Sequence, residues 1–170
     1  MPDQNKSRRR SQTPIDPTYG HLQPQALDIE KVVLGALMID KDAFSVVSEM
    51  LQPETFYEPR NQKVFRAVQK LNLDEQPVDI LTVTNELEKE GVIDEVGGPA
   101  YVVDLTANVA SSANIVAHAK ILQQKYTARQ LISIASKIET AAMDPMVDTD
   151  ELMQEAEGML YEVSQKNMKQ

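Results

Sequence analysis

Apolar side chains begin to recur at helical spacing at Leu27, after a polar stretch with no apolar period. Ile29, Val33 and Ala36 fall on one face, and Val32, Ala36 and Ile39 on an overlapping one. So wide an apolar surface suits a central helix. Asp28 stands where it can cap that helix or meet its positive end in the first turn. Gly35 in the helix interior costs about 1 kcal/mol relative to alanine, which predicts the close approach of another helix. A second helix is expected over 42–50 with Phe44 and Val47 inward. It ends at Leu51-Gln52-Pro53, because the residue before proline avoids the helical region. Pro53 to Phe56 suits a short helical turn with proline at its first position. A third helix is predicted over 59–71 on Val64, Val68 and Leu71, followed by a short extended link at 77–80. A fourth over 82–90 turns Val83 and Leu87 inward and stops at Gly91. Gly97-Gly98-Pro99 breaks the chain, and a fifth helix over 100–107 sets Tyr101 and Leu105 one turn apart.

The remainder differs in kind. From Asn114 to Ala142 no glycine or proline interrupts the pattern, and Leu131, Ala135, Ile138 and Ala142 repeat at 4-3-4 spacing. Asp144-Pro145 ends the run. Thr149 or Asp150 then caps a last helix with Leu152, Ala156, Met159, Leu160 and Val163 on one face. Two long amphipathic helices around a short turn form an antiparallel hairpin. The expected fold class is all-α: a small globular helical bundle followed by a long helical hairpin. Such a hairpin cannot bury its apolar stripe alone. Small residues on it (Ala135, Ala142, Ala156) admit close helix approach, either to the globular part or to a second copy.

Composition narrows the chemistry. Hydrophobic residues make up 42% of the chain, enough for a core, but aromatics only 5% and tryptophan none. Cysteine is absent, so disulfides and thiolate chemistry are excluded, in keeping with a cytoplasmic setting. His21 and His118 stand far apart and outside any metal-ligand spacing. The glycines at 20, 35, 91, 97, 98 and 158 build no phosphate-binding loop. Asp148-Thr149-Asp150-Glu151 lacks the glycine and the distal glutamate of a calcium loop and reads as charge at a helix start. A net charge of −9 disfavours general affinity for nucleic acid. The one basic run, Lys6-Ser7-Arg8-Arg9-Arg10, lies in the amino-terminal stretch. It reads either as a solvated terminus or as a contact for an acidic partner or nucleic acid. No segment approaches the roughly 20 apolar residues of a membrane span. No catalytic residue, cofactor site or metal site is expected.

Four stretches, in order, carry a resemblance. They are PQALDIEKVVLGALMID (24–40), FYEPRNQKVFRAV (56–68), VDILTVTNELEKEGVIDEVGGPAYVVDL (78–105) and SSANIVAHAKILQQKYTARQLISIA (111–135). They resemble the amino-terminal domain of bacterial replicative DNA helicases of the DnaB family. Val33-Leu34-Gly35, Phe56-Tyr57 with Asn61 and Phe65, Gly91 with Gly97-Gly98 and Tyr101, and Ala113-Asn114 match its pattern; the Lys-Arg run and Val102-Val103 depart from it. The resemblance implies a basic tail over 1–23, a globular helical subdomain over 24–110 and a dimerising hairpin over 111–166. Residues 167–170 would begin a linker to an absent RecA-like motor, where ATP and Mg would bind. It further implies self-association into dimers, three of which close a hexameric collar, and docking of primase and a helicase loader. Leu131, Ile132, Ala135, Ile138, Leu152, Ala156, Met159, Leu160 and Val163 would line the hairpin interface or the adjacent primase surface, and Tyr101 and Asp28 would face primase. The alternative is a stand-alone helical adaptor.

Overall fold

The computed structural model describes residues 22–107 and 109–168. The basic run, His21 and nearly all of the expected tail lie outside the described residues, as do Lys169 and Gln170. The described residues form seven α-helices and one 3-10 turn. These are α1 (Leu27–Ile39), α2 (Ala43–Val47), the turn η1 (Pro53–Thr55), α3 (Pro59–Leu73), α4 (Ile80–Lys89), α5 (Pro99–Ala107), α6 (Ile115–Ala142) and α7 (Thr149–Met168).

Helix α1 runs through the middle of the head, against α3, α5 and α6. Its apolar surface is wide enough for that place: Val33, Leu34, Ala36, Leu37 and Met38 are all buried. Ile39, expected inward, is exposed because the helix ends there. A Cβ added at Gly35 would lie 2.0 Å from the Leu105 carbonyl oxygen, so glycine is what lets α5 cross α1 at backbone contact. Helix α3 starts with Pro59, whose missing N–H is not needed in a first turn. Its Phe65 ring packs 5.0 Å from Phe56 and 6.3 Å from Phe44.

Helix α4 begins two residues before the expected position. Asp79 caps it by accepting from the Thr82 N–H at 2.9 Å, and the Asp79 N–H donates back to the Thr82 hydroxyl at 2.9 Å. The reciprocal pair satisfies two donors that the helix start would otherwise leave open. Gly97 (φ 102°) and Gly98 (φ 76°) then turn the chain into α5 through the left-handed region.

The first turns of α6 belong to the head: Ile115, Ala119 and Leu122 sit in its core. The hairpin expected from residue 111 therefore shares its first turns with the head. Farther on, α6 and α7 pair antiparallel, with Thr127 bonded to Asn167 at one end and Ile134 buried beside Val163. The cap of α7 is Asp148, which accepts from the Asp150 and Glu151 N–H groups at 2.9 and 3.3 Å. Thr149 and Asp150, expected in that role, are its first helical residues.

Candidate functional site

The hairpin leaves the head at Arg129, and a buried polar cluster fixes that point. Glu30 lies three and four residues before Val33 and Leu34, on the buried face of α1, and is 1% exposed. Its carboxylate accepts from the Tyr57 and Glu58 N–H groups at 2.8 and 3.3 Å and from the Asn61 amide at 3.0 Å. These donors stand at the start of α3, where the helix dipole favours an anion. A lone buried carboxylate would be costly; three aimed donors at a helix N-terminus offset that cost.

Arg129 grips backbone only. Its guanidinium donates to the carbonyls of Pro24 (2.8 Å), Thr55 (2.9 Å) and, more weakly, Glu54 (3.4 Å). The Tyr57 and Tyr126 rings flank it at 5.4 and 5.7 Å. Burial holds its pKa below the usual arginine value, while the charge of Glu30 acts the other way. One side chain of α6 thus ties together the entry to α1 and the turn η1. Gln123 adds a bond to the Met50 carbonyl at 2.9 Å.

Beyond Arg129 the hairpin has two unlike sides. Registered at about 100° per residue, Leu131, Ala135 and Ala142 of α6 share one side with Met153 and Leu160 of α7. Leu131 is 44%, Leu160 46% and Met153 61% exposed, so the head leaves this side uncovered. Ser133, Lys137 and Glu162 line a groove on the opposite side.

The residues expected to face a partner divide accordingly. Leu131, Ala135 and Leu160 are exposed on the apolar side. Ile132, Ile138, Leu152, Ala156 and Met159 are half-buried. Val163 is 8% exposed and packs inside the hairpin. Tyr101 also turns inward, at 7% exposed, and its hydroxyl donates to the Asn61 side chain. The Arg60 guanidinium lies 4.0 Å above its ring. Burial pushes the Tyr101 hydroxyl up to about 12, so it remains a donor at neutral pH. Tyr101 thus positions Asn61 and, through it, Glu30. Asp28 is exposed in the first turn of α1 and makes no side-chain cap.

Sequence reasoning missed Glu30, Asn61 and Arg129 as a unit. The legible signal was Glu30 itself, a carboxylate in register with an apolar face. Among the described residues no group of side chains could hold a metal ion, and no helix is long and apolar enough to cross a membrane.

Known proteins place this architecture. Residues 22–124 match the family described as DnaB-like helicase N terminal domain. The chain is 37% identical over 150 residues to the replicative DNA helicase DnaB of Rhodothermus marinus, covering 88% of this chain and 16% of that protein. The crystal structure of the N-terminal domain of DnaB helicase from Mycobacterium tuberculosis superposes with a TM-score of 0.78 at 31% identity, covering 83% of this chain and 99% of that one. The N-terminal domain of DnaB helicase from Helicobacter pylori, described with its interactions with primase, superposes with a TM-score of 0.61 at 25% identity, over 69% of this chain and 91% of that one. With a central α1 crossed at Gly35, a glycine-turned α5 and a two-helix extension held at its base, the chain belongs to the family of DnaB-like helicase N-terminal domains.

Proposed function

We propose that this chain builds the collar of a hexameric replicative helicase and docks primase there. The carrying observation is the uncovered apolar side of the hairpin, where Leu131, Ala135, Met153 and Leu160 meet solvent. Removing such surface from water favours association by about 25 cal/mol per Å2, offset by the entropy of joining two molecules. A second hairpin offers the same side in return, giving a two-fold, self-complementary contact. Three such dimers close the ring. The half-buried Ile138, Leu152, Ala156 and Met159 border the contact, and Ile132 stands about 100° around α6 from Leu131.

The Helicobacter pylori domain, described with primase, shares this fold, which supports primase as the partner here; a helicase loader is a further partner on this reading. The chain itself acts by binding. On this reading ATP and Mg belong to a RecA-like motor of the parent protein, and unwinding takes place in the cytoplasm; the linker expected from residue 167 begins no earlier than the end of α7 at Met168.

Sedimentation velocity across the micromolar range tests the pairing, and calorimetric titration with the helicase-binding domain of primase tests the docking. A concentration-dependent dimer, lost in Leu131→Gln/Leu160→Gln with the thermal midpoint retained, is the expected result. A monomer at the highest concentrations that releases no heat with primase would overturn the reading in favour of an unrelated adaptor role.

A further inference from the structure

The tip of the hairpin carries apolar side chains that the rest of the molecule leaves bare. Asp144 folds the turn after α6: its carboxylate accepts from the Met146 N–H at 2.9 Å and its carbonyl from the Val147 N–H at 3.1 Å. Asp148 then caps α7. On this hydrogen-bonded turn Met143 is 74% and Met146 90% exposed. A thioether on a flexible stem fills irregular apolar gaps. Two of them on one closed turn make a knob with no hole in the same molecule.

A groove lies at the other end of the hairpin. Gln124, Thr127, Ala128 and Leu131 of α6 line it with Asn167 of α7, and its volume is about 450 Å3. The Thr127–Asn167 bond, at 3.3 Å, joins its two walls. Turned at about 100° per residue, Gln124, Ala128 and Leu131 share the sector of Ala135 and Ala142. The groove is therefore the uncovered apolar side carried on to the head.

Charge sets the direction in which two such sides meet. Between Glu139 and Glu151 the sequence holds five carboxylates and no cation. Between Lys120 and Arg129 it holds three cations and no carboxylate. Parallel hairpins would lay tip on tip and repel; antiparallel hairpins lay each acidic tip along a cationic base. Length agrees. The uncovered side from Leu131 to Ala142 is centred between Ser136 and Lys137. The tip lies on the order of 10–14 Å beyond that centre, at about 1.5 Å per residue. A two-fold axis there carries the tip the same distance toward the head of the other copy, to the level of Thr127 to Leu131.

We infer, on the pairing of hairpins proposed above, that Met143 to Met146 of one copy seat in the groove at the base of a second copy's hairpin. Each dimer holds two such seats, one at either end, and each fastens a hairpin to the foot of the other molecule's head. The seats also fix the register, since a slide of one turn withdraws the methionines from the groove.

The chain has no cysteine, so single-cysteine forms of the full chain give a clean readout. Met146→Cys and Ala128→Cys are purified separately, mixed and mildly oxidised. A disulfide needs Cα atoms within about 7 Å, whereas these two positions stand more than about 20 Å apart along one hairpin. Expected is a disulfide-linked dimer from the mixture and none from either form alone. None is expected when Leu81→Cys, at an exposed position of the head, replaces Ala128→Cys. Linkage of Met146→Cys to itself would mean that tips meet, and would overturn the inference. No linkage from a mixture that still sediments as a dimer would strike the seat and leave hairpin pairing standing. A mixture that sediments as a monomer would remove both. In Met143→Gln/Met146→Gln the dimer dissociation constant should rise about tenfold, because two apolar side chains no longer favour the contact. The thermal midpoint should hold, since both positions are exposed. An unchanged constant would equally overturn the inference.

Discussion

Two glycines inside two helices summarise how unlike the head and the hairpin are. In the head, Gly35 lies where α1 and α5 touch backbone to backbone. In the hairpin, Gly158 lies in open space. The head is closed on itself: α1 is buried along most of its length and even its carboxylate at Glu30 is fully partnered. The hairpin beyond Arg129 buries Ile134 and Val163 between its helices and leaves Leu131, Met153, Leu160 and Tyr161 exposed. The contrast teaches that a residue's cost can be read as a marker. Where the fold explains the cost, as at Gly35, the residue is structural; the helices around Gly158 give no such account.

The strongest way to break that contrast is Gly35→Ala. The added methyl meets a backbone carbonyl that cannot rotate away, so a loss of about 3 kcal/mol is expected, at the upper end of overpacking effects. Urea unfolding checks it, and an unchanged midpoint would mean that α5 shifts freely. Next is Glu30→Gln. It removes the charge from bonds to Tyr57, Glu58 and Asn61, and a loss of about 2 kcal/mol follows. Hydrogen exchange should show the start of α3 opening first.

Gly158→Ala reverses the sign. With room for the methyl, α7 gains about 1 kcal/mol of helix propensity. A higher thermal midpoint by calorimetry checks it. A loss of stability would mean that the hairpin itself uses the gap.

The smallest effect concerns Glu90, at the end of α4. Burial, and then a hydrogen bond with Glu86, raises its pKa above the ordinary glutamate value. The folded state therefore favours its protonated form, and this contribution to stability is lost as the pH rises from 4.5 upward. Glu90→Gln should gain about 0.4 kcal/mol at neutral pH by removing a like-charge i, i+4 pair, and should flatten the slope of stability in mildly acidic solution.

Much of the head was legible because its signals are local. Proline at the first position of α3, the glycines before α5 and the apolar register of α1 each act within a turn or two of chain. The start of α4 was not, because its box pairs Asp79 with Thr82 and has no Glu or Gln at the third helical position. The Glu30 cluster was hidden for a different reason: its donors come from residues 57, 58 and 61, and no periodicity relates them to α1. The 4-3-4 spacing in α6 located the hairpin's apolar side. It could not tell Leu131, which stays outside, from Val163, which the partner helix covers, since that depends on how two helices rotate against each other. Arg129 gave no sign at all, because its partners are carbonyls that every residue carries.

That last property has a consequence for engineering. A latch that recognises main chain is blind to the identity of the residues it holds. The latch therefore puts no demand on the side chain at position 24 or 54, whereas Thr55 is kept by its own burial and its bond to the Gln52 N–H. A hairpin transplanted from a distant relative would need a guanidinium at the same height as well as the apolar first turns that enter the head core.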